Sequence, residues 1–145
     1  MAQKEIKTAI TINASKEKVW SILSDFENYP NWNPFILSLT GNMKVGENIK
    51  IVLPDMNFKP KVLAFEQNKE IRWIGKLLMK GIFDGEHSFV IEDNMDGTVT
   101  FKHEEIFNGI LVGLFAKKLD RDTRSGFEQM NLELKRLAEA KANSN

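Results

Sequence analysis

The 145-residue chain contains no cysteine, which excludes disulfides, thiolate nucleophiles and thiolate metal sites. Neither charge is in excess: 20 Lys and Arg balance 20 Asp and Glu, for a formal net charge of zero. Gripping a nucleic-acid backbone needs a basic field, so nucleic acid is not an expected partner. No stretch approaches the roughly 18 consecutive apolar residues of a membrane helix. Met1 to Thr8 alternates charged and apolar residues and lacks the apolar run of a secretory signal, making the cytoplasm the expected compartment. Histidine is scarce: only His87 and His103 occur.

What is present is a hydrophobic share of 42%, enough for the substantial core of one domain spanning residues 1–145. No repeat, low-complexity stretch or linker divides it. Residues Glu5 to Asn13 alternate, with Ile6, Thr8, Ile10 and Ile12 on one face, and predict a first strand. Ser15 is then a suitable N-cap, and Val19, Ile22, Leu23 and Phe26 form a helical stripe. Tyr29 to Pro34 holds two prolines, which end a regular helix but leave room for a single turn. Further strands are predicted at Phe35 to Leu39, Asn48 to Leu53, Phe58 to Gln67 and Ile71 to Leu78, with Pro60 arguing for an edge or a bulge. The face of the last holds Ile71, Trp73, Gly75 and Leu77.

From Phe83 to Glu92 and from Thr98 to Asn108 the two-residue period returns, around turn chemistry at Asp93 to Gly97. One face of this hairpin is charged and wet. The other holds Phe89, Ile91, Val99, Phe101 and Phe107 together with His87, His103 and Glu105. Polar groups in an apolar row cost roughly 2–7 kcal/mol each if buried unpaired, so that face predicts a cavity. Register is left open, with His87 opposite either His103 or Glu105. After Gly109 the period becomes helical, with Val112, Phe115, Leu119, Thr123, Phe127, Met130, Leu134, Leu137 and Ala138 along one side. This helix is roughly thirty residues at about 1.5 Å each, long enough to cross the domain. Gly126 within it calls for a kink or the close approach of another element. The order predicts an α+β meander covered by one long helix, with a volume between them.

The run Ala14-Ser15-Lys16-Glu17-Lys18-Val19-Trp20, then Asp25 and Tyr29-Pro30-Asn31-Trp32-Asn33-Pro34, resembles the N-terminal signature of the START-like superfamily. Arg72-Trp73-Ile74-Gly75, Gly85 to Phe89, Gly97-Thr98, Glu105 to Gly109 and Gly126 to Asn131 also look like its SRPBCC-type, polyketide cyclase/dehydrase-like bacterial proteins. The resemblance spans nearly the whole chain. It implies a helix-grip fold, an antiparallel sheet of about seven strands curled around the C-terminal helix with two short helices. It also implies a largely apolar cavity for lipids, sterols, polyketides or hormones, a minority of such proteins being cyclases or dehydratases. No shared catalytic motif carries over residue by residue.

The expected function is therefore binding of a small hydrophobic molecule between sheet and helix, with apolar burial supplying the affinity. The candidate lining is Trp32, Trp73, Gly75, His87, Phe89, Phe101, His103, Glu105, Phe107, Phe127 and Met130, with Trp32 as a gate and a leucine at Gly75 as a plug. His87, His103 and Glu105 have four readings: a satisfied interior cluster, polar recognition of a ligand, acid/base catalysis in a cofactor-independent cyclase or dehydratase, or a metal site. The last has least to recommend it, because His103 and Glu105 stand about 7 Å apart along one strand and no fourth ligand is evident. No cofactor is called for. Leu77 to Phe83 and Ile110 to Phe115 offer apolar residues for burial, for a membrane surface, for a second subunit in a weak homodimer, or for a client of a chaperone-accessory module.

Overall fold

The computed structural model describes residues 3–76 and 84–140. The chain begins with β1 (Gln3–Ile12), then α1 (Lys16–Leu23), a 3-10 turn (Phe26–Asn28) and α2 (Tyr29–Trp32). Short strands β2 (Ser38–Thr40), β3 (Lys50–Val52) and β4 (Asn57–Phe58) follow, then β5 (Lys61–Glu66), β6 (Glu70–Lys76), β7 (Asp84–Asp93) and β8 (Val99–Asn108). The long helix α3 (Val112–Glu139) closes the order. Five strands form an antiparallel sheet in the order β1-β8-β7-β6-β5, and β2-β3-β4 form a second sheet. An isolated bridge from Asn48 to Lys61 and backbone bonds from Gly46 to Val62 and from Ile49 to Pro60, both 2.9 Å, join the two at the β5 edge. The architecture is α+β helix-grip: a curved antiparallel surface holding α3.

Local chemistry explains the elements. Ser15 caps α1 by accepting from the Lys18 N–H at 3.1 Å, and Val19, Trp20 and Leu23 are its buried face. Pro30 sits in the first turn of α2, where its missing N–H costs nothing. Tyr29 is buried and donates to the Leu23 carbonyl, pinning α2 under α1.

The strand predicted from Phe35 is displaced to Ser38–Thr40. Its first amides have a closer acceptor: Asn33 Oδ1 takes the N–H of Phe35 at 2.9 Å and of Ile36 at 2.8 Å, an Asx arrangement that replaces a ladder. The predicted strand Phe58 to Gln67 is split at Lys59-Pro60, because proline has no ladder donor, and a bulge lies between Val62 and Ala64. That split brings the described strands to eight. Leu77 to Phe83, including the end of the predicted strand Ile71 to Leu78, lies outside the described residues.

The hairpin takes one of the two registers left open, with His87 paired to Glu105 and Phe89 to His103. Its turn needs a positive φ at Met95 and Gly97. Helix α3 lies against β1 and β8 and is buried at both ends, by Val112 at the start and by Phe127, Met130, Asn131, Leu134 and Ala138 later. Between them Phe115 is 39% exposed and Leu119 and Thr123 are half-buried. Gly126 admits a neighbour: a Cβ there would come within 2.5 Å of the Phe35 ring. Among the described residues no helix is long and apolar enough to cross a membrane.

The face assignment of α3 is open to a simple test. Leu134→Ala should cost about 2–5 kcal/mol in denaturant unfolding, since Leu134 is fully buried. Leu132→Ala, on the opposite face and 59% exposed, should stay within about 0.5 kcal/mol.

Candidate functional site

The unburied middle of α3 roofs a cavity of about 610 Å³. One wall is the Asn33-organised segment, contributing Pro34, Phe35 and Ile36. A second is the β3–β4 hairpin, with Ile51, Leu53, Met56 and Phe58. The sheet supplies Trp73, His87, Glu105 and Phe107. The mouth is polar, with Asp55, Lys118, Asp122 and Gln129 at its rim, and the Lys118 ammonium lies 2.7 Å from Asp122.

Of the residues predicted to line the pocket, Trp73, His87, Glu105 and Phe107 do so. Phe89, Phe101, His103, Phe127 and Met130 are fully buried behind that surface, in the core between sheet and α3. Their strand and helix faces point as predicted, but other side chains stand in front of them. Trp32 is not on the cavity wall: the turn of α2 packs its ring edge-on to Tyr29 at 5.4 Å, under the core cluster. Gly75 is covered rather than open, because a Cβ there would lie 2.8 Å from the Phe58 ring. A leucine at Gly75 would displace Phe58 before it reached the cavity.

Behind the wall runs an unbroken chain of hydrogen bonds. Glu105 Oε1 lies 3.2 Å from His87 Nδ1, His87 Nε2 lies 2.9 Å from His103 Nε2, and His103 Nδ1 lies 2.9 Å from Asn131 Oδ1. Asn131 Nδ2 donates to Thr8 Oγ1 at 2.9 Å, and the Thr8 hydroxyl donates to the His103 carbonyl at 2.8 Å. The imidazoles are clamped by aromatic rings, Trp73 stacked on His87 at 4.9 Å and Phe127 on His103 at 3.8 Å. Gly85 makes room for the Glu105 carboxyl, which a Cβ there would strike.

Burial governs the ionisation of the cluster. It pushes the Glu105 carboxyl up to about 8 and His87 down to about 3. His103 falls well below the usual histidine range, through burial first and the neighbouring His87 second, against the opposing bond from Asn131. At neutral pH the Glu105–His87 contact is thus a hydrogen bond between neutral groups. The two imidazoles turn their Nε2 atoms on each other instead of on a shared point, and among the described residues no cluster of three or more metal-ligating side chains is found.

Asn131 and Thr8 are the members that the sequence-based site omits. Asn131 carried a signal: it stands at the core position of the helical series 127, 130, 131, 134, the one polar residue there. Thr8 shares its strand face with Ile6 and Ile10, the same anomaly at lower contrast. Phe35 and Phe58 come from segments whose placement depends on Asn33 and Pro60, and no local pattern announces them.

Residues 3–139 match the model of the polyketide cyclase/dehydrase and lipid transport family. A search among curated proteins finds no match. Solved structures of similar shape include a START superfamily protein from Mycobacterium smegmatis, 21% identical, with 93% of this chain and 97% of that chain covered at a TM-score of 0.69. A hypothetical protein from Helicobacter pylori is 15% identical, over 94% of this chain and 88% of that one, at a TM-score of 0.77. The di-domain ARO/CYC StfQ from the steffimycin biosynthetic pathway is 11% identical, with 97% of this chain and 52% of that one covered and a TM-score of 0.75. At these identities the likeness is one of fold.

The buried cluster has a pH signature. Glu105 holds its proton more tightly when folded, so its contribution is complete below the unfolded value of 4.5 and is lost as pH rises through about 8. The histidines act in the opposite sense: their contribution is complete above the unfolded value of 6.5 and is lost as pH falls towards about 3 for His87, with His103 in the same direction. Two histidines outweigh one carboxyl below pH 6.5, so this cluster's contribution should peak near pH 6.5. It should then fall by up to about 2 kcal/mol towards pH 8, at about 1.4 kcal/mol per unit. Urea unfolding at a series of pH values should show this alkaline limb in the native protein and not in Glu105→Gln.

Proposed function

This chain belongs to the polyketide cyclase/dehydrase and lipid transport family, and we propose that it works by binding a small, mainly apolar molecule in the cavity between the sheet and α3. The observation that carries this reading is the cavity itself. Its volume of about 610 Å³ lies within the roughly 300–1,000 Å³ of small-molecule sites, and its wall is mostly aromatic and aliphatic. Burial of the ligand's apolar surface, at about 25 cal/mol per Å², is the source of affinity.

Acid/base catalysis by His87, His103 and Glu105 has less support. Both nitrogens of each imidazole are engaged inside the chain of hydrogen bonds, and His103 is sealed from the cavity. Glu105 is the cluster's one member with a spare atom on the cavity side, since Oε2 has no hydrogen-bond partner among the described residues. A cyclase or dehydratase that used this trio as both acid and base would have to draw both from one carboxyl. The chaperone-accessory reading rests partly on Leu77 to Phe83, outside the described residues, and no observation favours it. A lipid, a polyketide or a similar molecule fits the proposed pocket equally well.

The test is binding of Nile red, followed by fluorescence, to the native protein and to Thr123→Phe, which adds bulk to the roof. Binding should weaken at least about tenfold, the loss of some 1.4 kcal/mol of contact. Leu63→Phe, on β5 away from the cavity, should bind as the native protein does. Equal binding by all three proteins would place the ligand elsewhere and end the proposal.

A further inference from the structure

The buried chain of hydrogen bonds has a direction, and that direction determines what the cavity offers a ligand. Its inner end is fixed by chemistry that allows one assignment. The His103 carbonyl can only accept, so the Thr8 hydroxyl spends its single hydrogen there. The Thr8 oxygen must therefore accept from Asn131, which places the Asn131 NH2 towards Thr8 and its Oδ1 towards His103. A flipped amide would leave Thr8 facing two acceptors with one hydrogen. It follows that His103 carries hydrogen on Nδ1 and, being neutral, none on Nε2. The facing His87 Nε2 must then be the donor across the 2.9 Å contact.

A neutral His87 protonated at Nε2 has a bare Nδ1, so the Glu105 proton sits on Oε1 and points at the ring. Were the proton to cross the 3.2 Å gap, His87 would be cationic and Glu105 a carboxylate. In either arrangement Oε2 faces the cavity with lone pairs and no hydrogen. From Glu105 to Asn131 every donor in the series points away from the cavity, towards β1, and the Thr8 hydroxyl there turns the last hydrogen back onto the His103 carbonyl of β8.

Resting on the proposed role of the cavity as a ligand site, we infer that it selects a molecule that donates a hydrogen bond to Glu105 Oε2: an apolar body bearing a phenolic or alcoholic hydroxyl. An ether or ketone of the same shape brings a second acceptor and leaves both unsatisfied, which costs more than an unmade bond gains. An anionic carboxylate does worse, since no cation lines the inner wall formed by Trp73, His87, Glu105 and Phe107. Thr8, on the far side of the sheet's apolar face, is the positioning residue that sets this polarity.

The experiment uses three probes with one apolar body, 4-octylphenol, 4-octylanisole and 4-octylbenzoate, each displacing Nile red from the full chain at pH 7. The phenol should bind about tenfold more tightly than the anisole, and the benzoate least. In Glu105→Leu the ratio of phenol to anisole affinity should fall to about one. Glu105→Gln should keep the preference, because its amide N–H replaces the carboxyl proton on His87 Nδ1 and its oxygen replaces Oε2. Long-range ¹⁵N–¹H spectra of the native protein should show hydrogen on His87 Nε2 and on His103 Nδ1. The opposite tautomers would overturn the inference, as would equal binding of phenol and anisole, or tighter binding of anisole, by a protein that retains Nile red. If neither Nile red nor any probe binds, the cavity reading falls, and the inference with it.

Discussion

The head-to-tail hydrogen bonding of Glu105, His87, His103, Asn131 and Thr8 is the constraint on which the arrangement of the domain depends. Each of these groups would cost roughly 1–3 kcal/mol if left buried without a partner. Each donor inside the series therefore has an acceptor, and the last closes onto a backbone carbonyl of β8. The residues come from β1, β7, β8 and α3, so the series is satisfied only when three strands and the helix stand in one relative position. Apolar packing tolerates a slid helix better than this polar seam does. The seam thus fixes the height of α3 above the sheet.

From that height the cavity follows. The second half of α3 is drawn down by Phe127, Met130, Asn131 and Leu134, and the first turn by Val112. The part between carries only half-buried or exposed side chains: one flank touches β1, where Asp120 meets Lys4 and Arg124 the Lys7 carbonyl, and the other stands over the gap. Phe35 partly fills the gap by leaning on Gly126, and Phe58 does the same over Gly75. Two glycines therefore set where the aromatic walls stand. The remaining volume is bounded by rings on several sides and by the Glu105 carboxyl at its floor.

Much of this was legible in the order of residues. Alternation from Phe83 to Glu92 and from Thr98 to Asn108 identified the hairpin, its apolar face and the polar intruders on it, because a half-buried strand shows its environment residue by residue. The long helix showed itself equally, and the resemblance to START-like proteins joined the elements into a helix-grip fold. Less legible was depth. Periodicity tells that Phe89 and His103 point inward, not that Trp73 and His87 stand between them and the cavity. The segment from Trp32 to Phe58 was least legible, since its course follows from the Asn33 side chain capturing two amides and from Pro60 breaking a strand. Trp32 accordingly packs on Tyr29 against the core cluster, off the cavity wall. Asn131 was visible as a polar residue in an apolar stripe, but its significance needs its partner His103, 28 positions earlier.

The roof of the cavity is a span of helix moored at Val112 and again at Phe127, about four turns apart. Between those moorings one flank of the span is tied to β1 by the Lys4–Asp120 ion pair and by Arg124 on the Lys7 carbonyl, and the other borders the mouth. The residues that border the mouth and those that hold the core around Leu134 are therefore different sets, so either can be altered while the other is kept.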